Sequence, residues 1–94
     1  MPFIAVRHKV EDYKKWYPVY AEHGKVRKAS GSKGARLFRN NDNPNETLLI
    51  MEWDSFDNAK KFAQSPELRE TMERAGVVEM PDVYFLDEVE QTSA

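Results

Sequence analysis

The 94-residue chain contains no cysteine. Disulfides, thiolate nucleophiles and cysteine-ligated zinc or iron–sulfur centres are therefore excluded, which is compatible with a reducing compartment. Histidine is scarce, with only His8 and His23. They form no HxH, HxxxH or HExxH spacing, so no metal site is assigned. Glycine is sparse too, with four residues. Gly31 and Gly34 satisfy neither GxGxxG nor GxxxxGK[ST], which leaves nucleotide binding unsupported. No apolar run approaches the roughly 18 residues of a membrane span. The opening Met1-Pro2-Phe3 lacks a basic stretch followed by an apolar one, so no signal peptide is expected and the expected location is cytoplasmic. Charge of one sign is also lacking. Lys14, Lys15, Lys25, Arg27 and Lys28 are offset by acids to a net charge of -2. Neither a nucleic acid nor a membrane surface is implied as a partner.

What is present is a globular composition, 40% hydrophobic and 32% charged. The length suits one domain over residues 1–94, with a frayed tail from about residue 90. A monomer of this size buries only about 60–65% of its unfolded surface. "FIAVRHKV" (Phe3 to Val10) reads as a first strand. Asp12 offers a helix N-cap, and Tyr13, Trp16, Tyr17, Tyr20 and His23 follow at helical spacing. Pro18 predicts a kink or a restart of that helix, because it has no N–H and crowds the preceding turn. "GSKG" (Gly31 to Gly34) predicts a stop and a turn. "ARLFRN" (Ala35 to Asn40) and "TLLIMEW" (Thr47 to Trp53) read as a hairpin around "NDNPNE". Asp54 or Ser55 can cap the next helix, whose inner face is Phe56, Ala59, Phe62 and Ala63. Ser65-Pro66 restarts a helix carrying Leu68, Met72 and Ala75, with Gly76 as its stop. "PDVYFLDEV" (Pro81 to Val89) is the fourth strand.

The order β-α-β-β-α-β is that of a ferredoxin-like α+β fold, an antiparallel sheet with its helices on one face. A sheet with one wet face alternates apolar and polar residues. Here "FIAV", "LLIM" and "VYFL" are apolar on both faces. Helices cover one face only. The other requires an apolar partner, and the expectation is a homodimer whose two sheets pack into a barrel-like interface.

The run "DYKKWYPVY", the glycine-containing loop, "LLIMEWDS", "SPELRETMERAGV" and "PDVYFLDEV" together resemble the dimeric α+β barrel superfamily. Within it they resemble the antibiotic biosynthesis monooxygenase-like proteins, over nearly the whole chain. That superfamily also holds haem-degrading, muconolactone isomerase-like and chlorite dismutase-like proteins. The resemblance implies a ligand cavity between helices and sheet in each protomer. In the haem-degrading branch a tryptophan at the end of the third strand lines that cavity, and Trp53 matches it. The branch's first-strand asparagine and its helical histidine ligand fall on Arg7 and Met72. The helix region from Ser55 to Gly76 holds no histidine, which argues against histidine-ligated haem. No cofactor is expected. The implied activity is that of a cofactor-independent monooxygenase acting on an aromatic or polyketide-type small molecule. A non-catalytic dimeric ligand-binding module, or an isomerase or cyclase using the same pocket, remains as an alternative.

The candidate residues carry two readings each. Trp53 is either a core residue or a cavity wall. Trp16, Tyr20 and His23 form a core stripe, yet their polar tips need partners if buried. His23 is the favoured general base, because an imidazole titrates near neutrality. His8 shares a strand face with Ile4 and Val6; if that is the dimer face, it is an interface histidine and not a catalytic one. Arg7, on the other face, would anchor a ligand's anionic or carbonyl group or pair with an acid such as Glu52. Met72 would line the cavity floor or fill the core.

Overall fold

The computed structural model describes residues 2–77 and 81–94. Strand β1 spans Pro2–Lys9, helix α1 Tyr13–Glu22, helix α2 Gly24–Ser30 and strand β2 Ser32–Arg39. Strand β3 spans Glu46–Trp53, helix α3 Phe56–Ala63, helix α4 Pro66–Arg74 and strand β4 Asp82–Asp87. The sheet order is β2-β3-β1-β4, and every neighbouring pair is antiparallel. This is the ferredoxin-like arrangement, with each helical segment of the repeat divided in two.

The divisions follow local chemistry. The first segment breaks at His23 and Gly24, not at Pro18, which lies inside an unbroken α1. Lys14 and Pro18 are both exposed, so the Lys14 carbonyl that proline leaves without a donor can turn to water. Gly24 gives the chain no such support, because glycine is a poor helix former. The second segment breaks at Ser65, where the Oγ accepts from Leu68 N at 3.0 Å and Pro66 occupies the first turn. Asp12 caps α1 and Ser55 caps α3, accepting from Lys14 N at 3.0 Å and Asn58 N at 3.1 Å. Asp54 is not the cap. Its carboxylate accepts from the Asn58 side chain at 3.1 Å instead.

Strand β2 begins at Ser32, inside the expected turn, because Ser32 pairs with Trp53 and a bulge absorbs the shift to Gly34. Gly31 makes that entry possible. Its φ is +122°, and a Cβ there would sit 2.4 Å from the Asp54 Oδ1. The Asp54 N donates to the Gly31 carbonyl at 2.9 Å, tying the start of β2 to the end of β3. Strand β4 is shorter than expected, ending at Asp87, and Val10 leaves β1 for an isolated bridge with Val77.

Register decides which face is which. Ile4 lies beside Met51, Val6 beside Leu49 and His8 beside Thr47, so these six share a face. Helices cover it through two clusters. One joins Ile4, Met51 and Trp53 to Ala59 and Phe62 of α3. The other joins Val10 and Leu49 to Trp16 of α1 and Ala75 after α4. The opposite face carries Phe3, Ala5, Leu48, Ile50, Tyr84 and Leu86, with Phe38 beside Leu48. Tyr84 is 55% exposed and Phe38 44% exposed, so this apolar face is bare in a single chain. Among the described residues no helix is long and apolar enough to cross a membrane.

Removing the cap oxygen at the α3–α4 break leaves the Leu68 N–H without its partner. Ser65→Ala is expected to cost about 1 kcal/mol, read as a lower urea midpoint at unchanged slope. An unchanged midpoint would show that the capping bond carries no stability.

Candidate functional site

Between the helix layer and the sheet lies a cavity of about 100 Å³. A water needs roughly 10–15 Å³ of such space, so the cavity has room for a small organic molecule. Its floor is the sheet: Ile4, Val6, Leu49 and Met51. Its roof is Trp16, Val19 and Tyr20 of α1, with Phe62 of α3 and Leu68 and Met72 of α4. Pro81 and Val83 border it on the β4 side. The polar members are His8, His23, Arg27 and Thr71.

Of the residues singled out by sequence, Trp16, Tyr20, His23 and Met72 come together around this cavity. The Trp16 and Tyr20 rings stack at 5.1 Å with an interplanar angle of 13°. The Arg27 guanidinium sits 4.0 Å from the centre of the Tyr20 ring, and its Nη1 donates to the Tyr20 carbonyl at 2.9 Å. Arg27 thus closes α2 onto α1 while keeping its charge partly satisfied.

Two expected residues lie elsewhere. Trp53 has no exposed surface and is not part of the cavity lining. Its ring packs 5.0 Å from Phe62, and Phe62 is the residue that meets the cavity. The small Ala59 lets α3 settle onto the indole, so the tryptophan becomes the layer behind the wall. Arg7 is corrected more simply. Strand alternation turns it to the bare face, where it pairs with Glu46 and, at 3.2 Å, with Asp82. The Glu46 hydrogen bond and charge, followed by those of Asp82, raise its pKa against a smaller opposing effect of burial. Glu52, the acid expected beside it, faces Phe3 instead.

His8 is the converse case. It lies on the helix-covered face, 6% exposed, rather than on the face left for a partner. Its ring packs 5.3 Å from Trp16, and neither ring nitrogen has a hydrogen-bond partner. Arg7 and Lys9 on the alternate face were the available signal, since two cations mark the side that helices do not cover. Phe62, Arg27 and Thr71 were also not picked out by sequence. Thr71 Oγ1 donates to the Glu67 carbonyl at 2.8 Å, an ordinary helical back-bond without a distinctive pattern.

Both imidazoles are held neutral. Burial pushes the His8 pKa down to about 4. Burial also lowers that of His23, helped by Arg27 and Arg74 and opposed by Glu67. The His23 Nε2 is buried without a partner, next to the Phe62 ring at 5.9 Å. The described residues contain no group of three side chains suited to hold a metal ion. The cavity is therefore an apolar slot with neutral imidazoles on its walls. It can seat a planar apolar ring and offer hydrogen bonds to its substituents, and a neutral imidazole can accept a proton.

Residues 5–74 match the antibiotic biosynthesis monooxygenase family. No functionally curated protein matches the sequence significantly. Among solved structures, a proposed antibiotic biosynthesis monooxygenase from Bordetella bronchiseptica superposes with a TM-score of 0.79 at 20% identity, over 95% of this chain and 97% of that one. SnoaB, a cofactor-independent oxygenase from Streptomyces nogalater, superposes with a TM-score of 0.80 at 14% identity, over 99% of this chain and 97% of that one. A proposed family member from Caulobacter crescentus gives 0.75 at 17% identity, covering 95% and 90%. At these identities the likeness is one of fold.

A histidine held neutral in the folded chain makes stability depend on pH. Below the ordinary value of 6.5 the unfolded chain takes up a proton that folded His8 refuses until about pH 4. The stability it contributes is present above pH 6.5 and lost as pH falls through 4, on the order of 3 kcal/mol when complete. Urea denaturation between these pH values is expected to show a smaller loss for His8→Phe than for the native chain. Parallel losses would mean that His8 is not the titrating group.

Proposed function

The chain belongs to the antibiotic biosynthesis monooxygenase family, and on that premise we propose that it is a cofactor-independent monooxygenase-like protein acting on an aromatic or polyketide-type small molecule. The observation that supports this reading is an apolar cavity lined by His23, whose Nε2 is buried with no hydrogen-bond partner among the described residues. In this reading the substrate ring lies against Trp16, Tyr20 and Met72. His23 Nε2 accepts the proton of a phenol or enol, leaving an electron-rich anion in a largely apolar site. That anion supplies the electrons that reduce dioxygen. At a ring methylene, one oxygen atom becomes the new carbonyl and the other leaves as water with the hydrogens removed. The lowered pKa of His23 suits the role, because it keeps the ring unprotonated and ready to accept.

A second element of the reading is assembly. The bare face of Phe3, Leu48, Ile50, Phe38, Tyr84 and Leu86 supports a two-fold homodimer packed sheet against sheet. Such a partner removes the apolar surface from water without any change of fold.

Oxygen uptake with a panel of hydroquinones and anthrones tests the activity, and no uptake with any of them would sink it. His23→Ala is expected to lower turnover by about 10²–10⁴-fold. The rate should climb as pH rises, with a midpoint below the ordinary 6.5, because the pKa is depressed and the neutral ring is the active form. Activity that survives the substitution would remove His23 from the mechanism. Light scattering at micromolar concentration should give twice the 11.0 kDa chain mass, and Leu48→Glu should reduce it to the monomer. A native monomer would contradict the assembly.

A further inference from the structure

His8 has no task in the mechanism above, yet it is the most completely buried of the cavity's imidazoles. Both ring nitrogens lack a partner. Leaving a buried polar group unmatched costs about 1–3 kcal/mol, so native structures rarely keep one idle. Among the described residues no side chain relieves it; Trp53 Nε1 is also unpartnered, but unlike His8 it lies outside the cavity lining. The Thr47 hydroxyl across the strand donates to the His8 carbonyl rather than to the ring, at 3.4 Å. The strand neighbours on the same face are Ile4 and Val6, and the ring rests against Trp16.

The cavity's other polar groups stand at a distance. Trp16, which His8 touches, and His23 are seven positions apart on one helical segment, roughly 10 Å by the rise of 1.5 Å per residue. Arg27 lies beyond His23 in the chain, against Tyr20. Among the described lining residues Arg27 is the one cation, and it is engaged by Tyr20; Arg39, over the Tyr13 ring, is not part of the lining. The His8 end of the cavity offers one aromatic wall and one neutral imidazole, a group that can either donate or accept a hydrogen bond.

We propose that His8 is a ligand-contacting residue, its imidazole hydrogen-bonding the oxygen substituent of a neutral hydroxylated aromatic ring seated against Trp16. The assignment shares the cavity with the reading under Proposed function and rests on it for the site, but it requires binding alone. It also gives β1 a ligand contact at His8, one residue beyond Arg7, which faces away.

Isothermal titration with 1-naphthol and with naphthalene tests it, since the two differ by one hydroxyl. The native chain is expected to prefer 1-naphthol by roughly 5-fold, the net effect of one ordinary hydrogen bond. His8→Phe should bind naphthalene undiminished and lose the preference, and His8→Gln should recover part of it. In the unaltered protein the His8 ring ¹⁵N signals should shift with 1-naphthol and stay nearly still with naphthalene. This readout does not depend on any variant folding. A preference that persists in His8→Phe, silent His8 signals during binding, or no binding of either compound would overturn the assignment. Binding through His8 without oxygen uptake on any substrate would keep it while refuting the monooxygenase reading. Oxygen uptake with silent His8 signals would do the reverse.

Discussion

The burial of Trp53 is the constraint on which the helix layer depends. The indole closes the end of β3 with no surface left exposed, under Ala59 and Phe62 of α3. An aromatic side chain of this size hides about 150–250 Å², on the order of 4–6 kcal/mol at 25 cal/mol per Å². That anchor sets the height of α3 above the sheet. The Ser65 break then frees α4 to run at its own angle, carrying Leu68 and Met72 over the floor. Trp16 plays the matching part for α1 in the second cluster, with Leu49, Val10 and Ala75. The cavity is the space these two anchors leave between them. Val6 packs against both clusters and lies on the cavity floor.

A gap in a small core is costly, because the lining atoms lose contacts that a packed side chain would supply. Its polar lining adds to that cost through His8, whose two ring nitrogens are buried without partners, and His23, whose Nε2 is. Both features run against stability and both favour a ligand, a combination characteristic of binding sites. The electrostatics are consistent with this. Arg27 is the guanidinium among the described lining residues and is already engaged by the Tyr20 carbonyl and ring.

The other face of the sheet follows a different rule. At one end Arg7 joins Glu46 and Asp82 across three strands. An exposed ion network of this kind contributes little by itself. Arg36 beside Ile50 and Glu52 beside Phe3 share the face with the apolar residues.

Much of the fold was legible in the chain because strands and helices announce themselves through short-range chemistry. The breaker-free, β-branched run "FIAVRHKV", the serines before Phe56 and Pro66, and the double-sided "LLIM" all act within a few residues, and each is realised in the structure. The aromatic stripe of α1 was equally visible, and Trp16, Tyr20 and His23 do meet at one site. The helix restart offered at Pro18 does not occur, because a lost hydrogen bond costs little where the carbonyl faces water, a matter of exposure and not of sequence. Trp53, Arg7 and His8 were misplaced for one shared reason. A strand pattern divides residues into two sets, but only packing decides which set the helices cover and which side chain stands in front of another. The sequence by itself determined the elements, their order and the apolar character of both sheet faces, since these rest on local periodicity. The tertiary structure alone decided that Phe62 screens Trp53, that His8 faces the cavity and that Arg7 does not, because register and the height of α3 are set by contacts between residues far apart in the chain.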